Sequence, residues 1–248
     1  MAEVWFWCWH AEAAREATYM PDGASSAAIF SAVTEVRAEI AAACTRVGRD
    51  PADVRLIAVT KNQDPDVLKA LVEAGISDVG ENRIEHQLLM HAAAQSLGLP
   101  LRFHAIGRVQ GRQLAKIAPL SDCLHSLCEA DHVTRLARAC TGRRFPVFIQ
   151  VNTSGEVAKA GCSPEDLPRL LAAIRAESTL ETVGLMTMAE EGAPEDHVRR
   201  TFMRLRLLAA EHELPRLSMG MSQDFQLAIE EGATDIRVGT RLFMTAPA

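Results

Sequence analysis

Apolar residues recur along the chain in two alternating rhythms. Short runs of strand length occupy 54–60, 77–80, 101–106, 121–126, 145–152, 181–187, 216–220 and 234–239, and the segments between them carry apolar residues at helical spacing. A further helix precedes the first run, because Ile29, Val33, Val36 and Ile40 fall on one face, and Gly48 marks its end. Asp64-Pro65 and Ser163-Pro164 each place a capping residue before a proline at a first helical position, while Gly75, Gly142 and Gly232 stand where helices should stop. Strands alternating with helices predict a parallel sheet, and eight such units in 248 residues predict an α/β fold closed as a (β/α)8 TIM-type barrel. The alternative is an open doubly wound sheet, against which stands the missing G-x-G-x-x-G after the first strand.

The barrel is expected over 27–248 as one domain, and residues 1–26 are read as a poorly ordered leader, an artefact of start-site choice being one explanation for it. Its "VWFWCW" stretch is too short to span a bilayer, and Glu3 without a nearby Lys or Arg does not fit a signal sequence. A net charge of -6 offers no general attraction for nucleic acid or anionic lipid. The basic run His197 to Arg206 lies on an amphipathic pattern with Phe202, Leu205 and Leu208 inward, so it reads as a solvated helix face. The six cysteines form no C-x-x-C pair and no zinc-ligand spacing with histidine, which reads as buried thiols in the cytoplasm and no metal.

Chemistry in such a barrel sits at the C-terminal strand ends. The first predicted strand ends on Lys61, one of only four lysines among 26 basic residues, so a general need for surface cations does not account for it. Glu81 and Asn82 follow the second strand, His104 and Gln110 the third, Asn152 and Ser154 the fifth; Ser218 and Ser222 fall at the seventh, and Arg237, Gly239 and Thr240 at the eighth. Taken singly, each has an ordinary explanation as a turn, a cap or a satisfied core residue. Together they form a polar ring. Ser222 opens a predicted helix and Gly239-Thr240 form a tight turn, and both arrangements offer free amides to an anion such as phosphate. A lysine facing that cradle suits an aldehyde bearing a phosphate. An amine condenses with an aldehyde only when neutral, a state favoured in a low-dielectric barrel mouth near Arg237. Pyridoxal 5'-phosphate (PLP) satisfies both ends.

The segments "AVTKNQ", "VGENRIEH", "FHAIGRVQ", "VNTSGEVAKAG", "GLMTM" and "SMGMSQDFQLAIEEGATDIRVGT" resemble, in order and spacing, the pyridoxal phosphate homeostasis protein family. The resemblance covers about residues 28 to 243, with departures at Gly111-Arg112 and Met244. It implies a barrel like the N-terminal domain of alanine racemase, of PLP fold type III. It further implies that Lys61 holds PLP as a Schiff base, that Ser222, Gly239 and Thr240 contact its phosphate, that Arg237 faces the pyridine nitrogen, and that Asn82 and Ser218 lie near the cofactor. The implied role is PLP homeostasis with little or no turnover, by a cytoplasmic monomer whose partners are PLP and PLP-requiring apoenzymes. Two alternatives stay open. An alanine-type racemase would need a tyrosine opposite the lysine, and the only tyrosine is Tyr19 in the leader, with no second β-rich domain after the barrel. An arginine at the pyridine nitrogen also weakens the ring as an electron sink. A cofactor-free aldolase would use Lys61 with Glu81 as its acid/base.

Overall fold

Each of the eight apolar runs forms a strand in the computed structural model, which describes residues 25–155 and 160–243. The strands are β1 Arg55–Val59, β2 Asp78–Glu81, β3 Arg102–Ala105, β4 Cys123–Leu127, β5 Phe145–Gln150, β6 Leu180–Met186, β7 Arg216–Ser218 and β8 Asp235–Val238. They are parallel neighbours in chain order, and β8 pairs back onto β1 through Leu56 opposite Ile236 and Ala58 opposite Val238. The barrel is therefore closed, and the open sheet is excluded. The expected leader falls almost wholly outside the described residues, as do Tyr19, Lys159 and Met244.

The helices are α1 Ser26–Arg46, α2 Val67–Glu73, α3 Ile84–Ser96, α4 Leu114–Leu120, α5 Ala130–Ala139, α6 Leu167–Arg175, α7 Glu195–Glu211, α8 Phe225–Glu230 and α9 Thr240–Phe243. α1 starts where the Ser25 hydroxyl accepts from the Ala28 amide at 3.2 Å, and it ends before Gly48, whose φ of 67° is left-handed. Its buried face of Ile29, Val33, Val36 and Ile40 packs against α2, α8 and α9, which closes the outer ring of helices. α2 and α6 begin later than their prolines suggest. Asp64-Pro65 instead make a turn, with the Val67 amide donating to Asp64 O at 3.2 Å, and the Ser163 hydroxyl accepts from the Asp166 amide at 3.1 Å. The side-chain cap is therefore present one turn ahead of α6, while ahead of α2 only the backbone turn forms. On α7, Phe202 and Leu205 are fully buried, each contributing ~1.5–3 kcal/mol by leaving water. The basic face of α7 is neutralised by α8, because Arg199 reaches Glu230 at 2.6 Å and Arg206 reaches Glu231 at 3.1 Å.

Two devices fill the barrel. At its N-terminal face, the first residues of five strands form an ion cluster: Arg102 meets Asp78 at 2.7 Å, Arg55 lies 3.7 Å from Asp78 and 3.5 Å from Asp235, and Arg216 forks onto Asp235. On the side of β4, β5 and β6 the interior holds one packed apolar group, Cys123, Phe148 and Met186, with the buried His125 ring against Phe148. The described cysteines are all free thiols, four of them buried. Among the described residues, no helix is long and apolar enough to cross a membrane.

Candidate functional site

β1 runs out at Val59, and the buried Thr60 hands the chain to a turn closed by the Gln63 amide donating to Thr60 O at 3.0 Å. Lys61 is the first residue of that turn and is half-buried at the C-terminal rim. Asn62 follows with φ of 62°, a left-handed conformation that asparagine tolerates better than most residues. The Thr60 hydroxyl donates to the Glu81 carboxylate at the end of β2, and His86 of α3 contacts that carboxylate at 2.8 Å. Burial raises the Glu81 carboxyl above its ordinary range, against the hydrogen bonds from Thr60 and His86 that lower it.

On the other side of β1, the loops after β7 and β8 meet. Ser222 lies in the turn leading into α8, and its Oγ accepts from the Gly239 amide at 3.2 Å. Gly239 is held against β1 so closely that a Cβ there would stand 3.2 Å from Val59 O. The predicted cradle thus abuts the strand that delivers Lys61. Thr240 opens α9 at the exposed edge of the same cradle. Gly220, with φ of 92°, lets the β7 loop turn onto α8: an added Cβ would fall 2.6 Å from the Ala228 Cβ. No larger residue fits there. Asn82 is exposed at the end of β2, where its backbone packs on Gly107, and the structure does not draw it into the contacts made by Ser222 and Gly239.

Arg237 points into the barrel beneath this mouth and is buried, donating to Ser218 Oγ at 2.6 Å and to the Thr187 carbonyl at 3.1 Å. Burial pulls its guanidinium down to about 10, opposed by Asp224 and Asp235. Ser218 is wholly buried, so it supports Arg237 from below. From Ser218 a chain of contacts crosses the barrel: His125 Nδ1 lies 2.8 Å from Ser218 Oγ, His125 Nε2 lies 2.9 Å from His104 Nδ1, and His104 Nε2 lies 2.9 Å from Asp78 Oδ1. Donor counting fixes its direction. Arginine can only donate and an ionised carboxylate can only accept, so two single-N–H imidazoles fit between them in one direction, Ser218 donating to His125, His125 to His104, and His104 to Asp78. Burial holds His125 well below the usual imidazole value, reinforced by His104 and Arg237. For Asp78, burial acts to raise the carboxyl, but bonds from His104, Arg102 and Ser77 outweigh it and hold it well below the usual range.

Sequence reading placed His104 in the ring at the mouth; the structure sets it inside the barrel, directed at the N-terminal ion cluster. It missed His125 and Asp78 altogether, although a histidine inside the apolar run "CLHSL" was a visible signal. Asn152 accepts from the Ser154 hydroxyl at 2.9 Å, the local turn its residue type favours. The ligand atoms of His104, Cys123 and His125 lie within 4.8 Å of one another, a grouping the sequence spacing did not predict. The two imidazoles are nevertheless spent on each other. Their ring centroids are 5.1 Å apart, about the 2.9 Å contact plus one ring radius on either side, so the nitrogens point directly at each other rather than at a shared ion.

The family model for the alanine racemase N-terminal domain matches residues 33–247. A Pseudomonas aeruginosa protein named pyridoxal phosphate homeostasis protein is 39% identical over 215 residues, covering 85% of this chain and 93% of its own. Among solved structures, PipY of Synechococcus elongatus with PLP bound superposes with a TM-score of 0.74 at 32% identity, covering 83% of this chain and 100% of its own. An alanine racemase from Corynebacterium glutamicum gives a TM-score of 0.68 at 16% identity, over 91% of this chain and 63% of its own, a likeness of fold alone.

Proposed function

The chain belongs to the pyridoxal phosphate homeostasis proteins within the alanine racemase N-terminal domain family, and on that premise we propose that it binds PLP at the barrel mouth and takes part in PLP homeostasis. The carrying observation is the juxtaposition at β1. The strand that presents Lys61 is packed at Val59 against Gly239, whose amide already meets Ser222. The residues present suit PLP. Lys61 would hold PLP through its primary amine, the group suited to an aldehyde carbon. Ser222 and Gly239, whose mutual hydrogen bond could be given up to phosphate oxygens, would hold the phosphate, with Thr240 at the edge of that cradle. Arg237, with no acceptor of its own, would offer an N–H to the pyridine nitrogen and so discourage its protonation. Asn82 would stand at the rim near the cofactor, and Ser218 would act through Arg237.

PLP serves elsewhere as an electron sink for amino-acid chemistry, and a donor-only partner at its ring nitrogen damps that capacity. The reading is therefore binding and release with little or no turnover, proposed for a cytoplasmic monomer in which delivery to apoenzymes, storage and sensing of PLP are alternative uses of the same site. Titration of the protein with PLP, followed by absorption spectroscopy, tests the assignment. Wild type should develop the absorbance of an imine, and Lys61→Ala should show only free aldehyde absorbance. An imine spectrum retained by Lys61→Ala would refute it.

A further inference from the structure

Both ends of the Lys61 turn are fastened by two side chains outside it. At the start, the Thr60 hydroxyl donates to Glu81 Oε1. At the end, the Gln63 carbonyl lies 3.0 Å from His86 Nε2, and the circuit is closed by Glu81 Oε2 and His86 Nδ1 at 2.8 Å. Between the two anchors sits the left-handed Asn62.

The hydrogens in this circuit can be counted. A carbonyl cannot donate, so His86 Nε2 carries a proton for Gln63. The Thr60 hydroxyl spends its proton on Oε1. The remaining contact, Oε2 to Nδ1, holds one further proton on either atom, whether the pair is written as acid and imidazole or as carboxylate and imidazolium. Removing that proton leaves a carboxylate and an imidazole with a single N–H, which cannot serve Glu81 and Gln63 together. Adding a proton costs no bond, because Glu81 can then donate to Thr60 while accepting from His86. We propose that Glu81 and His86 are positioning residues, a one-proton clamp that holds the Lys61 turn closed and releases its Gln63 end when the pair is deprotonated. Burial, which raises the Glu81 carboxyl, favours retention of the shared proton. The charged groups near the pair include Lys61 and Asp64 on the turn, Arg83 at the N-cap and Glu85 in the first turn of α3, and Arg108 after β3; the last three line one cavity with Glu81. They carry both signs and alter where the pair titrates, not how many donors it has.

Glu81→Gln is the discriminating variant. Its amide donates to His86 Nδ1 and its carbonyl accepts from Thr60, so every bond of the clamp survives with no proton to lose. Hydrogen exchange of the 60–64 backbone, expressed as protection factors from neutral to alkaline pH, should fall about fivefold in wild type, the factor that ~1 kcal/mol of lost hydrogen bonding gives. Glu81→Gln should stay flat, and His86→Leu should be low throughout. Wild type and Glu81→Gln with the same profile would overturn the clamp. A second arm rests on the PLP reading: the rate at which Lys61 is labelled by PLP and borohydride, relative to Glu81→Gln, should drop over the same range. Labelling absent from both proteins would count against the cofactor assignment, while exchange alone decides the clamp.

Discussion

Replacing His125 by phenylalanine removes the central link of the chain that runs from Arg237 to Asp78. The substitution keeps an aromatic ring over Phe148, whose centroid lies 4.4 Å from that of His125, so packing is largely conserved and the polar contacts are what is lost. Two vanish: Ser218 Oγ loses its acceptor at 2.8 Å, and His104 Nδ1 loses its donor at 2.9 Å. Both partners are buried. A buried polar group left unsatisfied costs ~1–3 kcal/mol, so the pair gives about 2–6 kcal/mol, a large fraction of a domain's stability. Urea unfolding should show a lower midpoint with the slope unchanged. The double variant with Ser218→Ala supplies the sharper test. Deleting Ser218 also deletes one of the orphans that His125→Phe creates, so the two losses should fall short of additivity by ~1 kcal/mol or more. A loss below ~1 kcal/mol for His125→Phe, or strict additivity in the double variant, would refute a continuous directed chain.

Ser222→Ala and Thr240→Ala should each weaken PLP by ~1.5–3 kcal/mol while barely touching phosphate-free pyridoxal, and isothermal titration with both ligands reads the difference. The PLP-loaded protein incubated with L-alanine in deuterium oxide should show negligible α-proton exchange; turnover of ~1 per second or more would favour a racemase. Asp78 has a folded-state carboxyl depressed below its unfolded value, so its contribution to stability is present above that unfolded value and is lost as pH falls toward the folded one. Unfolding free energies measured along the acid limb should therefore fall more steeply for wild type than for Asp78→Asn.

The fold was legible because barrel strands and helices obey two different periods, and all eight runs became strands within a few residues of their expected bounds. The late starts of α2 and α6 reflect a local detail, since a polar residue and proline in a turn read in sequence like a helical first turn. Ser222 and Gly239, which the structure brings into contact, stand out in the sequence because glycine and small hydroxyl residues at strand ends are a local signal. The interior network does not. His125 and Ser218 are bonded across 93 residues of chain, and His104 and His125 across 21, so only the barrel's closure brings them together. His104 was assigned to the mouth because its position near the end of β3 shows where the backbone is, not which way the ring reaches along the barrel axis. Glu81 was visible as a carboxylate next to the lysine strand, but its pairing with His86 crosses from a strand end into a helix and follows neither period.

Reduction of the PLP-treated protein with borohydride, followed by peptide mass mapping, tests the central assignment most directly. The account predicts a single stable pyridoxyl group on Lys61; a group found instead on Lys69, Lys116 or Lys159, with Lys61 unmodified, would contradict it.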